Sequence, residues 1–195
     1  MVEVKHVGEA GYAAAVAFRD FCVLPSSEDL RNLRTSMAKP EKPLLFKRSH
    51  FTTRLPADCV YSPSHFWARE GEDKVWRVGF TKFATRMLGD MVDHDFEAQP
   101  GMAIKPGQIL GWVEGFKAIS DVYGFCTGEF TGANPALQKN TILIDKKPYG
   151  DGWLYEMSGK LDDKCVDVHG YAAILNQTID KMLEQQQAEK DTDIE

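Results

Sequence analysis

In the stretch Val113-Glu114-Gly115-Phe116-Lys117-Ala118-Ile119-Ser120-Asp121-Val122-Tyr123, apolar strand residues stop on both sides of a single lysine. A lysine at such a reversal sends its ammonium into water. Lysines at turns are usually no more than solvated surface charges, so the other chemistry-bearing residues have to be weighed beside it. Cys22, Cys59, Cys126 and Cys165 are widely dispersed and match neither a zinc knuckle nor a C-x-x-C redox pair. They are expected to be free, mostly buried thiols, including Cys126, whose place soon after Lys117 invites a redox role. His6, His50, His65, His94 and His169 are equally scattered. No pattern sets a nucleophile beside a base, so neither a catalytic pair nor a metal site is expected.

The elements that must hold Lys117 begin near Tyr61, where the sequence changes to short strands separated by Gly and Pro turns, the pattern of a mainly β domain. Val75–Phe80 and Ile109–Glu114 read as strands. Thr81 is placed to cap a short helix over Lys82–Leu88, with Gly89 to end it. Asp90 to Asp93 reads as a further strand, and Lys105-Pro106-Gly107-Gln108 has Pro and Gly where a type II turn wants them. Gly124–Phe130, Thr141–Asp145 and Leu154–Met157 are also read as strands. A faint echo of Gly107-Gln108-Ile109-Leu110 in Asn140-Thr141-Ile142-Leu143 fits a sandwich of two similar halves meeting at the Lys117 hairpin.

The ends read differently. Residues 1–55 are expected to be an extension, partly helical or disordered and with no core of its own; Gly8 to Leu24 and the run from Ser26 to Met37 are its helical pieces. Translation starting at Met37 is the alternative. Residues 56–160 form the β domain, and residues 161–195 a C-terminal helix and acidic tail. That helix is expected from about Val168 to Glu189, with Val168, Tyr171, Ala172, Leu175, Ile179, Met182 and Leu183 on its packed face and fraying from Glu184 onward.

Among 195 residues, 23 basic side chains face 29 acidic ones, a formal net charge of −6. No Lys/Arg stripe is present to neutralise phosphates, which argues against nucleic acid or an anionic membrane as partner. The apolar run from Gly11 to Leu24 is broken by Arg19 and Asp20 and is too short to cross a bilayer. A cytoplasmic protein is the expectation.

The Lys117 stretch, V-E-G-F-K-A-I-S-D-V-Y, resembles the lipoyl-attachment hairpin of the glycine cleavage system H-protein family, close to V-E-S-V-K-A-x-S-D-x-Y. The similarity is colinear through Tyr61-Ser62-Pro63-Ser64-His65-Phe66-Trp67, Val78–Ala84, Leu88–Val92, Gly128-Glu129, Asn134–Leu137 and Pro148–Trp153, about residues 60 to 158. The resemblance implies a flattened lipoyl/biotinyl-type β sandwich (hybrid barrel-sandwich) with short helices and a C-terminal helix. It implies lipoate in amide linkage to Lys117. It also implies a carrier, not an enzyme, that shuttles an aminomethyl group. The partners implied are glycine decarboxylase (P-protein), aminomethyltransferase (T-protein), dihydrolipoyl dehydrogenase (L-protein) and a lipoate ligase or lipoyl-transfer enzyme. Ser64 and Asp121 match positions lining the cleft that receives the arm, with Glu114 and Phe66 beside the cleft and tip.

The departures are specific. Phe66 stands where the family usually has the acidic residue of S-H-E-W, leaving an aromatic face in place of a carboxylate for the cationic cargo. On that reading Phe66→Glu improves cargo exchange. Asp121 reads equally as a turn residue closing the hairpin. Gly115-Phe116 replaces a Ser-Val pair, and Phe116 adds an exposed aromatic suited to a partner surface. Two other readings stay open: a lipoyl carrier serving another system, such as sulfur oxidation or lipoyl relay, and a non-lipoylated interaction module in which Lys117 is a surface charge.

Overall fold

A computed structural model of the chain describes residues 42–192. The helices expected between Gly8 and Met37, and the alternative start at Met37, lie outside the described residues. Strands β1 (Leu44–Arg48) and β2 (Phe51–Leu55) form a separate hairpin. A six-stranded sheet follows the spatial order β3 (Val60–Tyr61), β4 (Phe66–Glu70), β5 (Val75–Phe80), β11 (Tyr155–Leu161), β10 (Cys126–Ala133) and β7 (Ala103–Ile104). A three-stranded sheet has the order β6 (Met91–Phe96), β8 (Ile109–Gly115) and β9 (Ile119–Tyr123). The strand pairs in both sheets are antiparallel. Three α-helices, α1 (Lys82–Leu88), α2 (Leu143–Lys146) and α3 (Val168–Thr192), and a short 3-10 helix at Glu72–Lys74 complete the elements of the described residues.

Alternation along the strands decides what lies between the sheets. Val78 and Phe80 of β5, Leu110 and Val113 of β8, Val122 of β9, Phe130 of β10 and Met157 of β11 are buried in one shared core. This is the expected flattened β sandwich. The two sheets, with six strands and three, are not the similar halves that the echo suggested. Residues 141–145, read as a strand, instead turn into α2: carbonyls from Asn140 to Leu143 accept from amides three and four residues on. Tertiary contact overrides their β-branched composition here, because Ile144 is buried in the sandwich core and Asp145 pairs with Lys82 of α1 at 2.6 Å.

A second core lies on the far side of β4. Phe66 and Ala68 face the sandwich while Trp67 faces outward. The Trp67 Nε1–H is shared between the carbonyls of Phe80 and Pro148, at 3.0 and 2.9 Å. Tyr61 and Trp67 are covered by the β1–β2 hairpin, by Phe83 of α1 and by α3, which contributes Val168, Tyr171, Ile174, Leu175 and Ile179. Two expectations are corrected here. The last part of residues 1–55 is a β hairpin that buries Phe46, Phe51 and Leu55, because only there can its alternating apolar face leave water. And α3 extends to Thr192, past the expected end near Glu189, with Ile174 and Thr178 added to its buried face.

The second core contains one polar junction. The Tyr171 hydroxyl of α3 lies 2.9 Å from Nδ1 of His65 and 2.8 Å from Oγ1 of Thr81, which also caps α1 by accepting the Ala84 amide. A neutral imidazole that accepts at Nδ1 gives a consistent proton order: Thr81 donates to Tyr171 and Tyr171 donates to His65. The junction thus ties the end of the β3–β4 turn, the start of α1 and α3 together without a charge. The Tyr61 and Tyr171 rings stack beside it at 4.6 Å.

Burial holds His65 neutral and pushes its pKa down to about 3. In the unfolded chain the ring titrates near its ordinary value of about 6.5, so between those values only the unfolded state takes up the proton. This part of the stability is complete above about pH 6.5 and is lost as pH falls toward 3, at about 1.4 kcal/mol per unit. Urea denaturation is expected to give about 2 kcal/mol less stability at pH 5 than at pH 7. His94, also lowered by burial, adds in the same direction. In His65→Asn most of the slope should disappear; an unchanged slope would show that another group carries it.

Candidate functional site

β8 and β9 are joined by Phe116, Lys117 and Ala118, and the Gly115 amide donates to the Ala118 carbonyl at 2.9 Å, which leaves Phe116 and Lys117 as a two-residue tip. Two-residue hairpins generally favour turns with positive φ, yet neither tip residue has one. Support comes from outside the turn. The Phe116 amide donates to the Asp90 carbonyl at 2.8 Å and the Lys117 amide to the Leu88 carbonyl at 2.9 Å. Leu88 is the last residue of α1, where carbonyls have no partner inside the helix, so the tip amide satisfies one of them. Gly89, at φ 85, turns the chain from α1 toward β6 beneath the lysine. β8 comes so close to α1 that a Cβ on Gly115 would stand 2.3 Å from the Leu88 oxygen.

The backbone of Lys117 is therefore clamped while its side chain is exposed. Among the described residues its amine has no hydrogen-bond or ion-pair partner. Phe116 beside it is 84% exposed, as expected of a tip aromatic. An amine held at a fixed place, uncovered and unpaired, is suited to nucleophilic attack on an activated acyl group delivered by another protein.

The other sequence-predicted residues separate. Glu114, opposite Asp93 and Ile119, and Asp121, opposite Trp112, are half-buried on the side of the three-stranded sheet that faces away from the core. Asp121 is thus within β9 and does not close the turn; its carboxylate accepts from the Tyr123 hydroxyl at 3.0 Å. Ser64 is half-buried in the turn before β4, two residues after Ser62, whose hydroxyl accepts the Phe66 amide. Phe66 is not part of a cleft. It is 2% exposed, with its ring tilted against that of Phe80 at 4.8 Å in the sandwich core, because its register opposite Phe80 turns it inward. Cys126 is buried with its pKa pushed up to about 11 by that burial, and Cys59 likewise to about 12, so both stand as buried thiols kept protonated at neutral pH. What the sequence did not reveal is the clamp, since the carbonyls of Leu88 and Asp90 act through the backbone and leave no trace in side-chain type.

A family profile described as Glycine cleavage H-protein matches residues 59–182. The glycine cleavage system H protein of Corynebacterium jeikeium (strain K411) is 36% identical over 124 residues, covering 62% of this chain and 97% of the relative. That of Bacteroides fragilis is 37% identical over 125 residues, covering 63% and 98%. The crystal structure of a glycine cleavage system H protein from Mycobacterium marinum superposes with a TM-score of 0.56 at 30% identity, covering 61% of this chain and 97% of that one. The β1–β2 hairpin falls before the matched residues.

Gly115→Ala is expected to lower stability by about 1–3 kcal/mol, since α1 or the tip must move. Amide hydrogen exchange at Lys117 should accelerate in the same variant; unchanged exchange would refute the clamp. Phe66→Glu is expected to destabilise by several kcal/mol by placing a carboxylate in the sandwich core, which a melting curve would register, in place of the gain anticipated from sequence.

Proposed function

Because the chain belongs to the glycine cleavage H-protein family, a family of carrier subunits, we propose that Lys117 is its point of acylation and that lipoate is the group it carries. The observation that carries this reading is the clamped tip: an exposed, unpartnered amine on a hairpin whose two turn amides are both bound by neighbouring carbonyls. The residues present fit the group. An amide at Nζ needs a free amine, room for a ligase to approach and a frame that does not give way, and Lys117 has all three. When bound, lipoate supplies a disulfide that can be reduced and reformed at the end of a long arm.

The protein's own part is position and recognition. Leu88 and Asp90 hold the tip through backbone hydrogen bonds, and acylation removes the lysine's charge, so the arm leaves the surface without a solvated cation at its root. Phe116 presents an aromatic face next to the amide for partner enzymes to grip. Glu114 and Asp121 put negative charge along the strands behind the tip, with Asp93 and Asp95 on the neighbouring strand β6, a field favourable to a cationic cargo. Ser64 belongs to the turn before β4 and joins them only through the family pattern. The partners on this reading are glycine decarboxylase, aminomethyltransferase, dihydrolipoyl dehydrogenase and a lipoyl-attaching enzyme. Catalysis then resides in those enzymes, and the carrier works as a monomer in the cytoplasm. No helix among the described residues is long and apolar enough to cross a membrane.

Intact mass of the protein from its native host tests the attachment. A lipoyl increment on Lys117 is expected, and its absence from the wild-type protein would falsify the carrier reading in favour of an interaction module. Lys117→Arg should lose the increment and change stability by no more than about 0.5 kcal/mol, as for an exposed side chain. Lipoylated protein mixed with glycine decarboxylase should stimulate exchange of labelled bicarbonate into glycine; absence of stimulation would favour a different lipoyl-using system.

A further inference from the structure

Residues 42–57 carry Lys42, Lys47, Arg48 and Arg54 and no Asp or Glu, although acids outnumber bases in the whole chain. Strand register sorts these cations. Phe46, Phe51, Thr53 and Leu55 turn inward, so Leu45 opposite Arg54 and Lys47 opposite Thr52 make the outward face of the β1–β2 hairpin. Leu45 is 64% exposed there, and Lys42, Lys47 and Arg54 have no ion-pair partner among the described residues. The face is firmly mounted. Phe51 packs edge-on against Phe83 of α1 at 5.5 Å, Arg86 donates to the His50 carbonyl at 3.1 Å, and Arg48 pairs with Asp180 of α3. The hairpin turn lines one groove together with Arg86 and Lys117, so a protein that reaches the amine from this side meets the hairpin with it. The strands behind the tip are acidic instead, with Asp93 and Asp95 on β6, Glu114 on β8 and Asp121 on β9. Lys117 thus adjoins surfaces of both signs, an arrangement that orients a charged partner and speeds its encounter. Residues 44–55 precede the family match at 59–182, so the cationic surface is a feature of this chain outside the shared domain.

We propose that the outward face of the β1–β2 hairpin is a docking surface for an acidic patch on the enzyme that acylates Lys117. This rests on acylation of Lys117 as read above. Charge complementarity identifies the occupant. Before acylation the amine is itself a cation lining a groove whose other charged residues are Arg48 and Arg86, so a protein that closes on it must bring carboxylates. Lys47 and Arg54 continue that demand over the exposed face of the hairpin. Nucleic acid is disfavoured as occupant, because Lys42, Lys47 and Arg54 on a chain of net charge −6 neutralise few phosphates. Charged side chains also guard open strand edges against unwanted pairing. Reversing their sign keeps that protection and removes the cationic face, which separates the two roles.

The test uses the full, unlipoylated chain as substrate for the lipoyl-attaching enzyme of the native host, with loading followed by intact mass. In Lys47→Glu with Arg54→Glu the KM for the carrier is expected to rise about tenfold at low salt with kcat retained, and the difference should vanish at about 0.5 M salt. Lys47→Gln with Arg54→Gln should fall between this variant and wild type. Lys160→Glu with Lys164→Glu makes the same change of net charge at exposed positions around the end of β11 and should leave KM where it was. An equal rise in that variant would overturn the proposal by showing that net charge alone matters. If wild type is loaded and the hairpin variant has an unchanged KM at every salt concentration, the docking surface is overturned while the carrier reading stands. Binding of a short DNA duplex that the hairpin variant loses, with KM unchanged, would overturn it in favour of phosphate. If no lipoyl increment can be placed on Lys117, the docking surface and the carrier reading fall together.

Discussion

Two backbone hydrogen bonds, from the amides of Phe116 and Lys117 to the carbonyls of Asp90 and Leu88, make a mobile turn into a fixed post. They depend in turn on where α1 ends. α1 is short and would not persist alone in water; its first turn is capped by Thr81, whose hydroxyl meets Tyr171 of α3, and Tyr171 also meets His65 at the entrance of β4. The position of one lysine backbone is thus transmitted from a neutral, buried junction through seven residues of helix. Each step is a contact between uncharged groups, which salt does little to weaken.

β4 is the strand around which the two cores divide. With both faces buried it cannot show the simple in-and-out polarity of a surface strand. Phe66 and Trp67, adjacent in sequence, serve opposite cores, and Gly79 opposite Trp67 leaves space for the indole, whose ring carbons would lie 2.8 Å from a Cβ there. A carboxylate at position 66 would stand beside Phe80 in the sandwich core. The acids near the tip stand instead on the smaller sheet, Asp93 and Asp95 on β6, Glu114 on β8 and Asp121 on β9.

Much of this was legible from the residues. The strand Val75–Phe80, the Thr81 cap, the Gly89 stop and the Lys117 reversal are local signals, each set by a few neighbouring side chains, and all appear in the structure. The errors fall where distant contacts decide. Ile142-Leu143-Ile144 has the composition of a strand and becomes helix because Ile144 and Asp145 find partners in other elements. Phe66 carried a motif position but obeyed strand register. The β1–β2 hairpin was missed because its burial depends on α3, more than a hundred residues later, which no window of local sequence contains.

The junction at Tyr171 has a consequence for how the protein comes into being. Synthesis is vectorial, and α3 leaves the ribosome after the Lys117 hairpin. The nascent chain therefore exposes Lys117 before it possesses the side chain that seats α1 against the second core. A chain cut short ahead of Tyr171 carries the amine without the full frame that sets it, so completeness of the polypeptide is written into the geometry that a modifying enzyme would meet.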